Sequence, residues 1–196
     1  MTATLSVILL CTAFAGAQSL KIKDKAPLTD EKVVDISGKS LTLNEVAESN
    51  GLLVIFSCNT CPWVAKWEDR YNGLFQHARE NSIGMIALNP NERIRNKGES
   101  MEDMKRRADK KEYDFFYALD ENHRLADAFG ANRTPEVFLF DDELTLVYHG
   151  AIDDNANDAA DVEQTYVINA IDEMVSGNSV STAVTKSLGC TIKRIK

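Results

Sequence analysis

The chain is poor in proline and glycine, with four and ten among its 196 residues, and nothing in it indicates a linker or a low-complexity segment. It is also short of positive charge, with 22 Lys and Arg against 30 Asp and Glu. The resulting net charge of -8 is spread along the sequence. Nucleic acids and anionic membrane surfaces both reward clustered Lys and Arg, so neither is expected as a partner. The one basic cluster, Lys105–Lys111, is interspersed with acidic residues and is predicted to be a solvated helix face.

A chain of this length and 44% hydrophobic content is expected to form one globular domain with a full hydrophobic core. The apolar pattern predicts a hairpin that turns at Ser37-Gly38, then alternating strands and helices, then a closing hairpin and a last helix over 162–175. The continuous apolar run Gly51–Ser57 is typical of a strand that is covered on both faces. These elements predict an α/β fold over residues 18–177, followed by a polar tail, 178–196, that carries Cys190.

No uncharged run at the N-terminus reaches the ~20 residues that a membrane-spanning helix needs. The run from Thr2 to Ala17 ends in Ala15-Gly16-Ala17, which has the small-x-small form of a secretory cleavage site. We therefore predict a signal peptide, residues 1–17, and an exported protein, periplasmic or secreted, with no stable membrane span after cleavage. A lipoprotein signal built on Cys11 and an uncleaved anchor or buried helix are the alternatives.

Cysteine is scarce, and two of the four cysteines stand three positions apart in the stretch SCNTCPWV. This pair, Cys58 and Cys61, falls where the predicted strand Gly51–Ser57 turns into a helix, with Pro62 in a position where a missing N–H costs little. We expect Cys58 at or just before the N-cap and Cys61 within the first turn, where the unpaired N–H groups and the dipole of a helix N-terminus stabilise a thiolate. We therefore predict dithiol–disulfide exchange, in which Cys58 attacks a substrate disulfide and Cys61 resolves the mixed disulfide.

Three other interpretations of the cysteine pair stay open at this stage. A structural zinc site normally needs four ligands, and the chain has no second C-x-x-C. A copper-binding or metallochaperone module would use the two thiols with the distant His149. An inert staple across two residues closes too small a loop to stabilise the fold much.

The acidic stretch Asp153–Gln164 lacks the Gly and the Glu of a calcium loop. No metal and no cofactor are predicted.

Four stretches together resemble the thioredoxin-like superfamily, and most closely its peroxiredoxin-like branch of the redoxin, or alkyl hydroperoxide reductase/thiol-specific antioxidant, type. They are FSCNTCPWV, FGANRTPEVFLFD, YHGAIDDN and the terminal GCTIK. The resemblance implies a thioredoxin-like fold, with a central mixed sheet flanked by helices and an N-terminal hairpin extension.

The same resemblance implies roles for three further residues. Pro135 would follow a cis peptide bond and pack against the cysteine pair, the backbone of Thr134 would line the groove that receives a partner's disulfide, and Trp63 would flank that groove. The partners would be protein thiols or disulfides, or a reducing partner protein. Removal of the signal leaves an odd number of cysteines, so Cys190 is a candidate third redox thiol, carried on a flexible tail toward Cys58 or Cys61.

The sequence departs from the peroxiredoxin pattern at one important point. Peroxiredoxins carry Pro-x-x-x-Thr-x-x-Cys around the cysteine that reduces peroxide, and neither Cys58 nor Cys61 has this context. We therefore favour an exported thiol–disulfide oxidoreductase, with a thiol peroxidase as the first alternative and the copper module as the second. The dipeptide Asn59-Thr60 does not reveal the direction of exchange, and no acidic residue on the strand before Cys58 offers itself as a proton acceptor.

Overall fold

The computed structural model describes residues 19–195. The predicted signal peptide, residues 1–17, and Cys11 within it therefore lie outside the described residues. Among the described residues, no helix has the length and apolar character needed to cross a bilayer.

The strands in chain order are β1 (Val33–Asp35), β2 (Ser40–Leu41), β3 (Gly51–Phe56), β4 (Ile83–Asn89), β5 (Phe116–Leu119), β6 (Arg133–Thr134), β7 (Glu136–Phe140), β8 (Leu146–Gly150) and β9 (Cys190–Thr191). The main sheet is mixed and has seven strands in the order β2-β1-β5-β4-β3-β7-β8. Strands β3, β4 and β5 run parallel, whereas β7 pairs antiparallel with β3 and β8 with β7. Every residue of β3 and β4 is buried, as the continuous apolar runs predict for strands covered on both faces.

The helices are α1 (Leu43–Val46), α2 (Pro62–Trp67), α3 (Tyr71–Glu80), α4 (Met101–Lys111), α5 (Arg124–Phe129) and α6 (Tyr166–Val175). Two apolar clusters form the core, one on each face of the sheet. The N-terminal hairpin β1–β2 joins the sheet through an antiparallel pairing of β1 with β5. The predicted α/β class, mixed sheet and N-terminal hairpin are thus confirmed.

The helix predicted after the cysteine pair is interrupted. A 3-10 turn at Glu68–Arg70 separates α2 from α3. In this turn the buried Glu68 points to Arg107 and Lys111 on α4, while Arg70 forms an ion pair with Asp153 at 2.8 Å. The ion pairs connect the turn to α4 and to Asp153, and the apolar stripe continues across the break with Trp67 and Tyr71 both buried.

The C-terminal tail does not extend away from the domain, contrary to the expectation of a flexible, polar segment. His149 on β8 forms an isolated parallel bridge with Val184, and β9 pairs antiparallel with β6 in a separate two-stranded sheet. Ile192 is buried in the core cluster that also contains β3 residues. These contacts hold the tail against the sheet, near the C-terminal end of β3 and the cysteine pair that follows it.

Candidate active site

Cys61, and not Cys58, is the residue at the N-terminus of the helix. Cys61 is the N-cap of α2 and Pro62 is its first residue, whereas Cys58 lies in the preceding loop. The expected placement of Cys58 at or just before the cap, with Cys61 in the first turn, is therefore wrong. The reason is that the strand ends at Phe56 and the residues up to Thr60 form a loop, so the helix begins only at the proline.

Both sulfurs of the pair are buried, with Cys58 2% and Cys61 4% exposed, and neither is in a disulfide. The loop that carries them meets Thr134, the last residue of β6. Cys58 Sγ lies 3.1 Å from Thr134 Oγ1, and the Cys61 thiol donates to the Thr134 carbonyl oxygen at 3.2 Å. The Thr134–Pro135 peptide bond is cis, as the resemblance implied, and both residues are buried.

The two sulfurs have opposite pKa shifts. The pKa of Cys61 is lowered to about 5. The largest cause is the hydrogen bond from the Cys58 thiol, and the Cys190 side chain and the backbones of Val64 and Cys190 also lower it, against the effect of burial. The pKa of Cys58 is raised well above its ordinary value by its interaction with Cys61, by burial and by the charge of Glu99, while the Thr134 hydroxyl opposes these effects. The Cys61 thiol faces the Thr134 carbonyl, and the donors around its sulfur lower its pKa, so Cys61 is the more acidic of the two cysteines.

Glu99 holds the backbone of the loop between the cysteines, a role that no sequence motif indicated. Its fully buried carboxylate accepts from the backbone N–H groups of Asn59 at 2.8 Å and Thr60 at 3.0 Å, and from the Thr60 hydroxyl at 2.6 Å. The side-chain amides of Asn89 and Asn91 donate to the same carboxylate at 2.8 and 3.4 Å. Glu99 stands in a polar excursion far from the pair in sequence, so no local pattern distinguishes it.

Two buried tyrosines complete the polar surroundings of Cys58. Tyr71 shares a hydrogen bond of 3.1 Å with the Ser57 hydroxyl, and Tyr117 donates to the Asn59 side-chain oxygen at 2.9 Å. Burial raises the pKa of both phenols well above the ordinary value. Both phenols are therefore neutral at physiological pH and hold the loop without adding charge.

Trp63 lies at the site, where it is half-buried and packs against the cluster formed by Cys58, Cys61 and Val64. Its backbone N–H also interacts with the sulfur of Cys190, which packs against the same cluster. The structure thus brings together every predicted site residue: Cys58, Cys61, Trp63, Thr134, Pro135 and Cys190. The groove expected beside Thr134 is not open, however, because β9 of the same chain pairs with it.

His149, the proposed distant copper ligand, has a different partner. Its Nε2 lies 2.8 Å from Glu136 Oε1, and its ring stacks on Phe138 at a centroid distance of 4.3 Å. Between residues 19 and 195, the structure has no group of three or more His, Cys, Asp or Glu side chains arranged to hold a metal ion. No observation at the site therefore favours the copper alternative.

The sequence profile of the AhpC/TSA family matches residues 22–149, which is most of the domain. The chain belongs to this family. A comparison with curated proteins found no match. This membership agrees with the resemblance to the peroxiredoxin-like branch that the sequence motifs carry.

Solved structures show the same architecture. An uncharacterized conserved protein from Geobacillus kaustophilus is 28% identical, with a TM-score of 0.83 over 89% of this chain and 93% of that one. A hypothetical protein from Sinorhizobium meliloti 1021 is 30% identical, with a TM-score of 0.82 over 91% and 97% of the two chains. The thioredoxin domain of a thiol-disulfide oxidoreductase from Bacteroides vulgatus is 19% identical, with a TM-score of 0.55 over 67% and 89%. The fold of this family member is thioredoxin-like, and its chemistry is that of an oxidoreductase.

Proposed function

We propose that the protein is a thiol–disulfide oxidoreductase that cycles between a Cys58–Cys61 dithiol and the corresponding disulfide. The observation that carries this proposal is the position of the pair, with Cys61 capping α2 and both sulfurs in contact with Thr134 before a cis proline. The solved relative from Bacteroides vulgatus that is named a thiol-disulfide oxidoreductase supports the proposal.

The roles within the pair are the reverse of those that the sequence alone suggested. We propose that Cys61 is the attacking thiolate, because its pKa is lowered to about 5, and that Cys58 is the resolving thiol. A thiolate is the nucleophile in disulfide exchange, and a low pKa also makes Cys61 a good leaving group in the reverse step. Glu99 would then hold Cys58 in its protonated form until the second step.

The experiment that tests this proposal is the reaction of the reduced protein with oxidised dithiothreitol or glutathione, followed by peptide mapping. We expect the wild-type protein to form a Cys58–Cys61 disulfide. The Cys58→Ser and Cys61→Ser variants should both lose catalytic turnover in dithiol–disulfide exchange. The Cys61→Ser variant should form no mixed disulfide within the pair, whereas Cys58→Ser should form a disulfide at Cys61 that residue 58 cannot resolve. A reduction potential of about -270 mV for the Cys58–Cys61 couple would indicate a reductant, and one of about -120 mV an oxidant.

A thiol peroxidase is the second candidate, and membership in the AhpC/TSA family is the observation that favours it. In that case a cysteine thiolate would attack peroxide and the second cysteine would resolve the sulfenic acid as a disulfide. The two candidates share the dithiol–disulfide cycle and differ in the oxidant. The rate of peroxide consumption distinguishes them.

We also propose that the protein is exported and acts on protein thiols or disulfides, or receives electrons from a reducing partner protein. The support for export is the Ala15-Gly16-Ala17 site after an uncharged run. The mass of the mature protein after expression in a secreting host tests it, with cleavage expected after Ala17. A chain that keeps residues 1–17 would overturn it.

A further inference from the structure

The C-terminal strand β9 lies where a bound peptide would pair with the active site. Thr134, whose carbonyl and hydroxyl oxygens meet the two sulfurs, is directly opposite Cys190 in the antiparallel β6–β9 ladder. The Ile192 N–H donates to the Asn132 carbonyl at 3.0 Å and extends this pairing by one bond. Addition of an extended segment to an exposed strand edge is a common mode of peptide recognition. Here the segment belongs to the same chain.

Several contacts hold the strand in this position. Arg194 Nε donates to Asp127 Oδ1 at 2.6 Å, and the Lys193 carbonyl accepts from the Arg93 N–H at 2.9 Å. Gly189 approaches the Thr134 carbonyl so closely that a Cβ at this position would lie 2.4 Å from that oxygen. The register that brings Cys190 opposite Thr134 therefore depends on a residue without a side chain at position 189.

The strand delivers a third thiol to the cysteine pair. Cys190 packs against the cluster of Cys58, Cys61 and Val64, and its side chain and backbone interact with the Cys61 sulfur. Cys190 is only half-buried, whereas the other two sulfurs are almost fully enclosed. It is thus the most exposed of the three thiols and a direct neighbour of Cys61.

We propose that Cys190 is a catalytic thiol that carries electrons between an external dithiol and the buried Cys58–Cys61 disulfide, with β9 acting as a built-in partner strand. This inference rests on the proposed function, because it needs the Cys58–Cys61 disulfide as its oxidised state. Through Cys190, electrons from an external dithiol would reach the Cys58–Cys61 pair, which is buried beside β9.

The chemistry is two successive thiol–disulfide exchanges. The Cys190 thiolate attacks Cys61 Sγ, so a Cys61–Cys190 bond forms, the Cys58–Cys61 bond breaks, and Cys58 leaves and takes up the proton that Cys190 lost. An external dithiol then attacks Cys190 Sγ, and Cys61 leaves as a thiolate. The second thiol of the external molecule displaces Cys190, which is released as a thiol. Two electrons pass from the external dithiol, which becomes a disulfide, and one proton goes to solvent.

Peptide mapping of the Cys58→Ser variant tests the first exchange. After exposure to oxidised glutathione, we expect an intramolecular Cys61–Cys190 disulfide whose formation from the mixed disulfide is independent of protein concentration, because a tethered thiol has an effective concentration in the mM range. The wild-type protein treated in the same way should form the Cys58–Cys61 bond. A Cys58→Ser variant that retains only glutathione on Cys61, beside a normal wild-type disulfide, would overturn this inference and leave the proposed function intact.

The rate of reduction tests the second exchange. We expect Cys190→Ser to form the Cys58–Cys61 disulfide but to lose at least about tenfold in its rate of reduction by a protein dithiol such as reduced thioredoxin, because the intramolecular route is removed. An unchanged rate would overturn the inference. A wild-type protein that never forms the Cys58–Cys61 disulfide would instead overturn the proposed function.

A substitution at Gly189 tests whether the position of β9 matters, because it shifts the strand and keeps the Cys190 thiol. In the Cys58→Ser background, Gly189→Ala should reduce the yield of the Cys61–Cys190 disulfide several-fold, because the new Cβ pushes β9 away from Thr134. Gly73→Ala is the matched control, since a Cβ there meets no atom within 4 Å. Equal yields in the two variants would contradict the proposed register of the strand.

Discussion

Cys61 and Thr134 meet at 3.2 Å, sulfur to carbonyl oxygen, across the junction between a helix N-terminus and a cis proline. The hydroxyl of the same threonine reaches the other sulfur of the pair, Cys58, at 3.1 Å. One residue on β6 therefore contacts both thiols. Changes at this residue should alter the redox balance of the pair without removing either sulfur.

Thr134→Val removes the hydroxyl and keeps the carbonyl and nearly the same volume. The hydroxyl interacts with the reduced sulfur of Cys58 and lowers its pKa, so its loss should favour the disulfide. A net hydrogen bond of about 1 kcal/mol corresponds to a shift of the reduction potential by about -20 mV. Equilibration with glutathione buffers measures this shift. Thr134→Ser, which keeps the hydroxyl, should stay close to the wild-type potential, and an equal shift in both variants would contradict the explanation.

The Cys61 thiolate should titrate with an apparent pKa of about 5 in the reduced protein. The difference in absorbance at 240 nm between the wild-type protein and Cys61→Ser isolates this group. Because the Cys58 thiol is the first cause of the low pKa, Cys58→Ala should raise the pKa of Cys61 toward its ordinary value. A wild-type midpoint near that ordinary value would contradict the assignment of the nucleophile to Cys61.

The same shift makes the stability of the reduced protein depend on pH. The pKa of Cys61 falls from 9.0 to about 5 on folding, so its stabilising contribution is complete above the unfolded value and is lost as the pH falls through about 5. The free energy of unfolding should therefore rise between pH 5 and 8 relative to Cys61→Ser. Urea denaturation at both pH values under reducing conditions measures this difference. Cys58, whose pKa is raised, has little influence in this range because it is protonated in both states.

Glu99→Gln should destabilise the loop that carries the cysteine pair. An amide can accept only through its oxygen, so at least one buried donor, the side-chain amide of Asn89 or Asn91, loses its acceptor together with the N–H of Asn59 or Thr60. Each unsatisfied buried donor costs about 1–3 kcal/mol, and we expect a loss of about 2–3 kcal/mol in urea denaturation. The pKa of Cys58 should fall at the same time, since the charge of Glu99 raises it.

Glu102→Gln is the matched control for Glu99→Gln. Glu102 is exposed on the first turn of α4, three positions further along the chain. Substitutions on an exposed surface usually change stability by no more than about 0.5 kcal/mol. If both variants lost the same stability, the loss would not come from the buried hydrogen bonds of Glu99.

Peroxide should be consumed slowly by this protein in the presence of dithiothreitol. Both sulfurs of the pair are enclosed, β9 covers the edge beside Thr134, and the peroxide-binding context Pro-x-x-x-Thr-x-x-Cys is missing. We expect a rate no greater than that of a free low-pKa thiol under the same conditions. Fast consumption that Cys58→Ser or Cys61→Ser abolishes would favour the peroxidase candidate over disulfide exchange.

Local patterns identified most of the architecture and the members of the site. The continuous apolar runs predicted β3 and β4, the turn at Ser37-Gly38 predicted the first hairpin, and Thr134-Pro135 pointed to the residue that meets both sulfurs. These features depend on neighbouring residues and on periodicity. The start of α2, however, was placed too early, because the sequence does not show how far the loop after Phe56 continues before Pro62 begins the helix.

By itself, the sequence determined that this is an α/β protein with one close cysteine pair and a further cysteine, Cys190, near the end of the chain, because composition, spacing and apolar periodicity are local properties. Only the tertiary structure decided which of the two sulfurs is the more acidic, since that depends on the helix cap and on the position of Cys190. It also decided that Glu99 holds the loop and that β9 occupies the edge beside Thr134. Hydrogen bonds and strand pairing between distant segments leave no pattern in a single sequence, because they depend on how the whole chain folds.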